Sequence, residues 1–238
     1  MPAVAVSFDL GQTLLELDEN LLAAKARRCG FEVNAALVPA QQELAWKAYN
    51  VAISEGKKGF DAWSTFMRDL LLRTRFSTLG QPARVGTDAL ESFVRLLWSE
   101  QPTDNLWRKP VPGMLEILRS LRARGTKVGV LTNSEGRARE LIDMTGFGAF
   151  VQVVVDSGVE GIDKPDQRLF ARMAERLECL PKEIIHVGDS YAADVLGALG
   201  AGMTPIWFAR SPDSVEAPGV LVCRNAEQLQ ALLLARLA

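Results

Sequence analysis

The chain has 238 residues, enough for one large domain or a core with a smaller insert, and its 48% apolar and 24% charged residues exclude a disordered or fibrous protein. A formal net charge of −2 argues against a nucleic-acid partner, which needs a basic footprint. No apolar run approaches the roughly 18 residues of a membrane span, and no basic leader with a cleavage site is visible, so no membrane partner and a cytoplasmic location are expected.

The run Ala3-Val4-Ala5-Val6-Ser7-Phe8 ends in Asp9-Leu10-Gly11-Gln12-Thr13-Leu14. It reads as a buried strand with a carboxylate at its C-terminal tip. In an open α/β sheet such a tip faces the crevice where ligands bind. From Leu15 to Gln101 the periodicity turns helical. Leu44, Ala48, Val51 and Ala52 recur after Pro39, a residue tolerated in a first turn. Trp63, Phe66, Met67, Leu70 and Leu71 form a second stripe. Thr87 is placed as the cap of a third helix, with Leu90, Phe93, Val94, Leu97 and Trp98 along one face. These aromatics read as the inner face of a helical bundle. The basic stretches Lys25, Arg27, Arg28 and Arg119, Arg122, Arg124, Lys127 have helical spacing and are taken as solvated faces.

A Pro-rich return linker runs from Gln101 to Gly113. A helix from Pro112 to Arg124, stopped by Gly125, leads into the strand Lys127–Thr132, whose tip Thr132-Asn133-Ser134 offers hydroxyl and amide groups. Further strands are expected at Val151–Asp156, Ile184–Gly188, Thr204–Phe208 and Val220–Cys223. They alternate with helices, which predicts a parallel sheet covered on both faces. Gly161-Ile162-Asp163-Lys164-Pro165 sets a lysine in a loop just before a helix. The strand Ile184–Gly188 ends in Asp189, with Asp194 five residues on. His186, the only histidine, lies inside that strand and is read as a core histidine rather than a general base. Cys29, Cys179 and Cys223 lack metal-ligand spacing and are read as reduced packing residues.

Taken in this order, the segments around Asp9, Thr132-Asn133, Lys164 and Asp189 resemble the haloacid dehalogenase superfamily. The resemblance implies an α/β fold: a Rossmann-like parallel sheet core formed by residues 1–14 and 103–238, with a small all-helical cap over residues 15–102. Such a cap can close over the active site and exclude water. It further implies an Mg²⁺-dependent phosphomonoester hydrolase acting on a small phosphorylated substrate. Asp9 would be the nucleophile, forming an aspartyl-phosphate. Mg²⁺ would be held by Asp9, Asp189 and the backbone carbonyl of Gly11. Lys164 would screen charge, Thr132 and Asn133 would hold the phosphoryl oxygens, and Asp194 would orient Lys164 or a metal-bound water from behind. Either a monomer or a homodimer is compatible with the chain.

One position departs from the family pattern. Most of its phosphatases carry a second aspartate two residues after the nucleophile, to protonate the leaving group and then activate water, and here that residue is Gly11. General acid–base help of this kind contributes on the order of 10²–10⁴ in rate. Three readings follow: a slower or substrate-selective phosphatase in which good leaving groups, a group from the substrate, Gln12 or a cap residue makes up for the acid; a 2-haloacid dehalogenase, which needs no such acid but usually lacks the aspartate at the Asp189 position; and a non-catalytic or nearly inactive protein binding a phosphorylated ligand or another protein. The first is the expected function. Glu55, Lys57 and Lys58 in the cap segment either reach a substrate or form an ordinary polar turn.

Overall fold

A computed structural model of the chain describes residues 4–209 and 219–237, so Ala3, counted above in the first strand, lies outside them. Six strands form the main sheet: β1 (Ala5–Phe8), β2 (Lys127–Thr132), β3 (Val153–Asp156), β4 (Ile184–Gly188), β5 (Thr204–Phe208) and β6 (Leu221–Cys223). Their order is β6-β5-β4-β1-β2-β3, and every neighbouring pair is parallel. This is an α/β, Rossmann-like sheet. The strand order reverses at β1, and the switch point between β1 and β4 is where open sheets of this kind bind ligands, beyond the carboxyl ends of the strands.

The strands are short, rich in Val and Ile, and buried where the sheet is centred; every residue of β1 and β4 is buried, as expected for strands covered on both faces. The helix Gln167–Leu177 buries Leu169, Phe170, Met173, Ala174 and Leu177, one helical stripe. That stripe joins Ala5, Leu131, Val155 and Ile184 in a single core cluster. The helix expected over Pro112–Arg124 spans Met114–Ala123 instead, because Gly113 before it takes a left-handed φ of 85° outside the helical region. Strands β3 and β6 each begin one or two residues later than expected.

The chain divides into two compact units, Met1–Glu16 with Trp107–Ala238, and Leu17–Leu106. The second holds the helices Glu19–Arg28, Val38–Ser54, Gly59–Arg73 and Thr87–Glu100. It also carries a short antiparallel sheet of Phe31–Glu32, Ser77–Thr78 and Gln81–Arg84, which periodicity did not foretell because strands of two residues carry no pattern. Trp63, Phe66, Met67, Leu70 and Leu71 are buried as expected. Val51 is not: at 57% exposure it lies off the buried face of its helix, which carries Gln42, Ala45, Ala52 and Ile53. Thr87 is the first helical residue, and Gly86 holds the cap position. Lys25, read above as solvated, is buried and ion-paired to Glu100 at 2.5 Å and Asp104 at 2.7 Å. Helical spacing locates a face but not the carboxylates that a neighbouring segment brings to it. Cys29 is exposed rather than packed; Cys223 is buried.

Candidate active site

The centre of the site follows from register. Phe8 of β1 pairs with Val187 of β4 on one side and Val130 of β2 on the other. Asp9 is the next residue, its N–H donating to Val187 O at 2.8 Å. Asp9 is therefore level with Leu131 of β2 and Gly188 of β4, and Thr132 and Asp189 follow one residue beyond it on the two neighbouring strands. Lys164 reaches this level from the loop after β3. Its Nζ donates to Asp9 Oδ1 at 2.6 Å, Asp194 Oδ1 at 2.6 Å and Leu131 O at 2.9 Å.

A second set of bonds holds Lys164 and Asp194 in place. The Asn133 side chain accepts from Lys164 N–H at 2.7 Å and donates to Lys164 O at 3.1 Å, so its amide clamps the lysine's backbone. Asp194 Oδ2 accepts from Ser190 N–H at 2.9 Å, and its Oδ1 lies 3.3 Å from His186 Nε2. His186 Nδ1 is 2.6 Å from Ser7 Oγ. Ser7, His186 and Asp194 are all essentially inaccessible, and His186 meets the Phe170 ring edge-on, so this histidine belongs to the core as read from its strand position. Gly188 makes the arrangement possible: any side chain there would collide with the Asp194 carboxylate. The loop after Asn133 is pinned by Asp156, whose carboxylate accepts from Gly136 N–H at 3.1 Å, Gly158 N–H at 2.9 Å and Ala138 N–H at 2.9 Å. Ser157 Oγ adds a bond from Ser134 N–H at 3.1 Å.

Burial sets the electrostatics. It raises the Asp9 carboxyl to about 6, against the lowering pull of Lys164. Burial would also raise Asp194, but Lys164 and His186 together hold it down at about 2. Burial opposes the Lys164 charge, yet Asp194 and Asp9 outweigh it and push the ammonium above the usual lysine range. His186 is lowered by its burial and stays neutral at neutral pH. The site is thus a buried cation shared by two carboxylates, with a third carboxylate, Asp189, at its more open edge.

The family model described as haloacid dehalogenase-like hydrolase matches residues 4–202, which include every one of these groups. The chain belongs to that family. Among relatives of this haloacid dehalogenase-like hydrolase, a glyceraldehyde 3-phosphate phosphatase from Methanothermobacter thermautotrophicus is 27% identical over 241 aligned residues, covering 96% of this chain and 99% of that protein. The putative HAD-hydrolase YfnB from Bacillus subtilis, in a structure bound to magnesium, superposes with a TM-score of 0.66 at 20% identity, over 98% of this chain and 99% of that one. A 2-haloacid dehalogenase from Pseudomonas syringae pv. Tomato DC3000 superposes with a TM-score of 0.61 at 20% identity, over 99% and 100% of the two chains. At these identities the two structures share the fold and say nothing of the reaction.

Asp9, Asp189 and Asp194 form a group whose ligand oxygens lie within 4.8 Å of one another. The donors are all carboxylate oxygens, which suit a hard cation such as Mg²⁺ better than a metal that draws on thiolate or imidazole. Lys164 engages only Oδ1 of Asp9, and the cost of ionising this buried carboxylate is a cost that a cation beside it would offset. The residues fit the metal that the family's phosphatases use. Among the residues singled out in the sequence, Lys57 and Glu55 pair with each other at 3.1 Å on an exposed turn. Periodicity missed Asp156, Ser157 and Ser190. Asp156 was legible as an N-cap, since its side chain caps the turn Ser157–Glu160; Ser190 and Ser157 act through backbone groups that no spacing signals.

Proposed function

We propose that the protein is an Mg²⁺-dependent phosphohydrolase that works through an aspartyl-phosphate on Asp9. The observation that carries this reading is the pairing of Asp9 with Lys164 at the β1 tip, with the Asp189 carboxylate close by across the topological switch point. Asp9, Asp189 and the Gly11 carbonyl would hold the metal, which when bound supplies positive charge against the phosphoryl oxygens. Asp9 Oδ2 attacks phosphorus while Lys164, fixed by Asp194 and by the Asn133 clamp, keeps Oδ1 in place and screens its charge from the incoming dianion. Thr132 and the remaining amide hydrogen of Asn133 bind phosphoryl oxygens, and Asp194 positions Lys164 from beneath. Retention of Asp189 weighs against displacement of halide from a haloacid. The helical unit Leu17–Leu106 is read as the family's cap and as the seat of substrate selectivity. A small phosphorylated metabolite and a cytoplasmic location complete the reading.

The test is hydrolysis of p-nitrophenyl phosphate by wild type and Asp9→Asn, with and without Mg²⁺. Mg²⁺-dependent turnover that disappears in Asp9→Asn is expected. Turnover that survives in the variant sinks the aspartyl-phosphate; no turnover in a folded, Mg²⁺-binding wild type favours a protein that only binds phosphorylated ligands.

A further inference from the structure

Strands β1 and β4 are buried along their whole length, yet each carries one polar side chain in its interior, Ser7 and His186. The register makes these two direct partners. Ser7 Oγ lies 2.6 Å from His186 Nδ1. The other ring nitrogen, Nε2, is 3.3 Å from Asp194 Oδ1, and Phe170 of the helix Gln167–Leu177 meets the ring edge-on. Asp194 in turn binds Lys164, and Lys164 binds Asp9. Five buried side chains thus form one hydrogen-bonded line from the interior of the sheet to the β1 tip. An apolar pair at positions 7 and 186 would serve the sheet equally well, since replacing both partners of a buried hydrogen bond by apolar groups costs little. Such a pair could not donate to Asp194.

The direction of each bond follows from the groups present. Asp194 Oδ1 already accepts from Lys164 Nζ at 2.6 Å, and Oδ2 accepts from Ser190 N–H at 2.9 Å. Both oxygens act as acceptors, so the proton between this carboxylate and the imidazole belongs to Nε2. A neutral ring then has a bare Nδ1, which accepts from the Ser7 hydroxyl. Without that hydroxyl the ring is free to carry its proton on Nδ1, and it would then turn a lone pair toward Asp194.

We infer that Ser7 and His186 are positioning residues for the Asp9 reaction: the Ser7 hydroxyl fixes the imidazole in its Nε2–H form, and that N–H anchors the carboxylate that aims the Lys164 ammonium at Asp9. The inference rests on Asp9 being the nucleophile. Neither residue touches the substrate or moves a proton during the reaction; both act through Asp194 and Lys164.

His186 is the only histidine, so ¹⁵N labelling of histidine in the untagged, Mg²⁺-loaded protein gives a single imidazole to read by NMR. At neutral pH the spectrum should show a protonated Nε2 and a bare Nδ1. The opposite tautomer, or an imidazolium, overturns the inference. A second arm measures kcat for p-nitrophenyl phosphate at saturating Mg²⁺, together with the melting temperature, in wild type, His186→Gln and Ser7→Ala/His186→Phe. The double variant removes both polar partners together and fills the place of the ring. Its melting temperature should stay within about 4 °C of wild type. Its kcat should fall by about 10–100-fold, the usual effect of losing a partner that orients a site group from behind. His186→Gln keeps an amide donor toward Asp194 and should retain more of kcat than the double variant, even where it melts lower. A merely structural role predicts instead that kcat follows the melting temperature. That ordering, or wild-type kcat in the double variant, overturns the inference and leaves the Asp9 mechanism standing. No turnover in wild type overturns both. The tautomer needs no variant, so it decides the inference should the double variant fail to fold.

Discussion

At the scale of single residues, Asp9 and Asp194 contact the same ammonium at the same distance, yet burial pushes one up and the other's partners pull it down. The consequence for stability has opposite signs. Asp9 moves from an unfolded value near 3.8 to about 6, so the folded state holds the extra proton in that window. Stability is then fully present below about pH 4 and is lost as pH rises toward 6, by roughly 3 kcal/mol at ~1.36 kcal/mol per unit. Asp194, held at about 2, contributes stability that is present above its unfolded value and is lost only in stronger acid. Urea unfolding in the presence of a chelator, at pH 4.5 and pH 7.5, measures the Asp9 contribution. Wild type should lose more stability between these two values than Asp9→Asn, which cannot ionise; equal losses would mean that Asp9 does not titrate at a raised value. Asp9 was legible from the sequence because a strand followed by an acid is a local pattern. Its raised titration was not, because that comes first from burial by packing and is only partly offset by Lys164, which lies 155 residues away.

At the scale of elements, the site depends on two loops whose backbones are tied by side chains rather than by secondary structure. Asn133 clamps the Lys164 peptide, and Asp156 collects three N–H groups from the Asn133 loop and its neighbour. Removing the Asp156 acceptor leaves buried donors without it, at a cost of about 2–4 kcal/mol by analogy with lost caps and buried hydrogen bonds. If the proposed function holds, Asp156→Ala should lower the melting temperature and raise KM for p-nitrophenyl phosphate more than it lowers kcat, since Asp156 pins the loop proposed to hold the phosphoryl group and does not touch Asp9. An equal loss of both would mean that the loop also carries chemistry. The strands and long amphipathic helices were readable because periods of two and 3.6 residues survive in the sequence. The small sheet of the helical unit and the burial of Lys25 were not, since both arise from partners distant along the chain.

For the whole molecule, the sheet brings Asp9 from the first strand and Asp189 from the fourth to one crevice, with most of the chain between them. A cation bound there links the stability of the fold to the occupancy of the site. Mg²⁺ at about 100 times its dissociation constant should stabilise the protein by about 2.7 kcal/mol. Differential scanning calorimetry with a magnesium titration should show a rising melting temperature in wild type and little or none in Asp189→Ala. An undiminished rise in the variant would place the cation elsewhere. No helix of the described residues is long and apolar enough to cross a membrane.

The sequence by itself determined the alternation of strands and helices, the family and the order of the acids and lysine at the loop tips. These are properties of short segments, and each segment's composition encodes them. Only the tertiary structure decided that Lys164 is buried between two carboxylates, that the Asn133 amide binds the Lys164 backbone, and that the Trp107 indole lies beside Gly11. Each of these depends on which distant residue arrives at a given point in space, and that is set by strand order and packing density rather than by spacing along the chain.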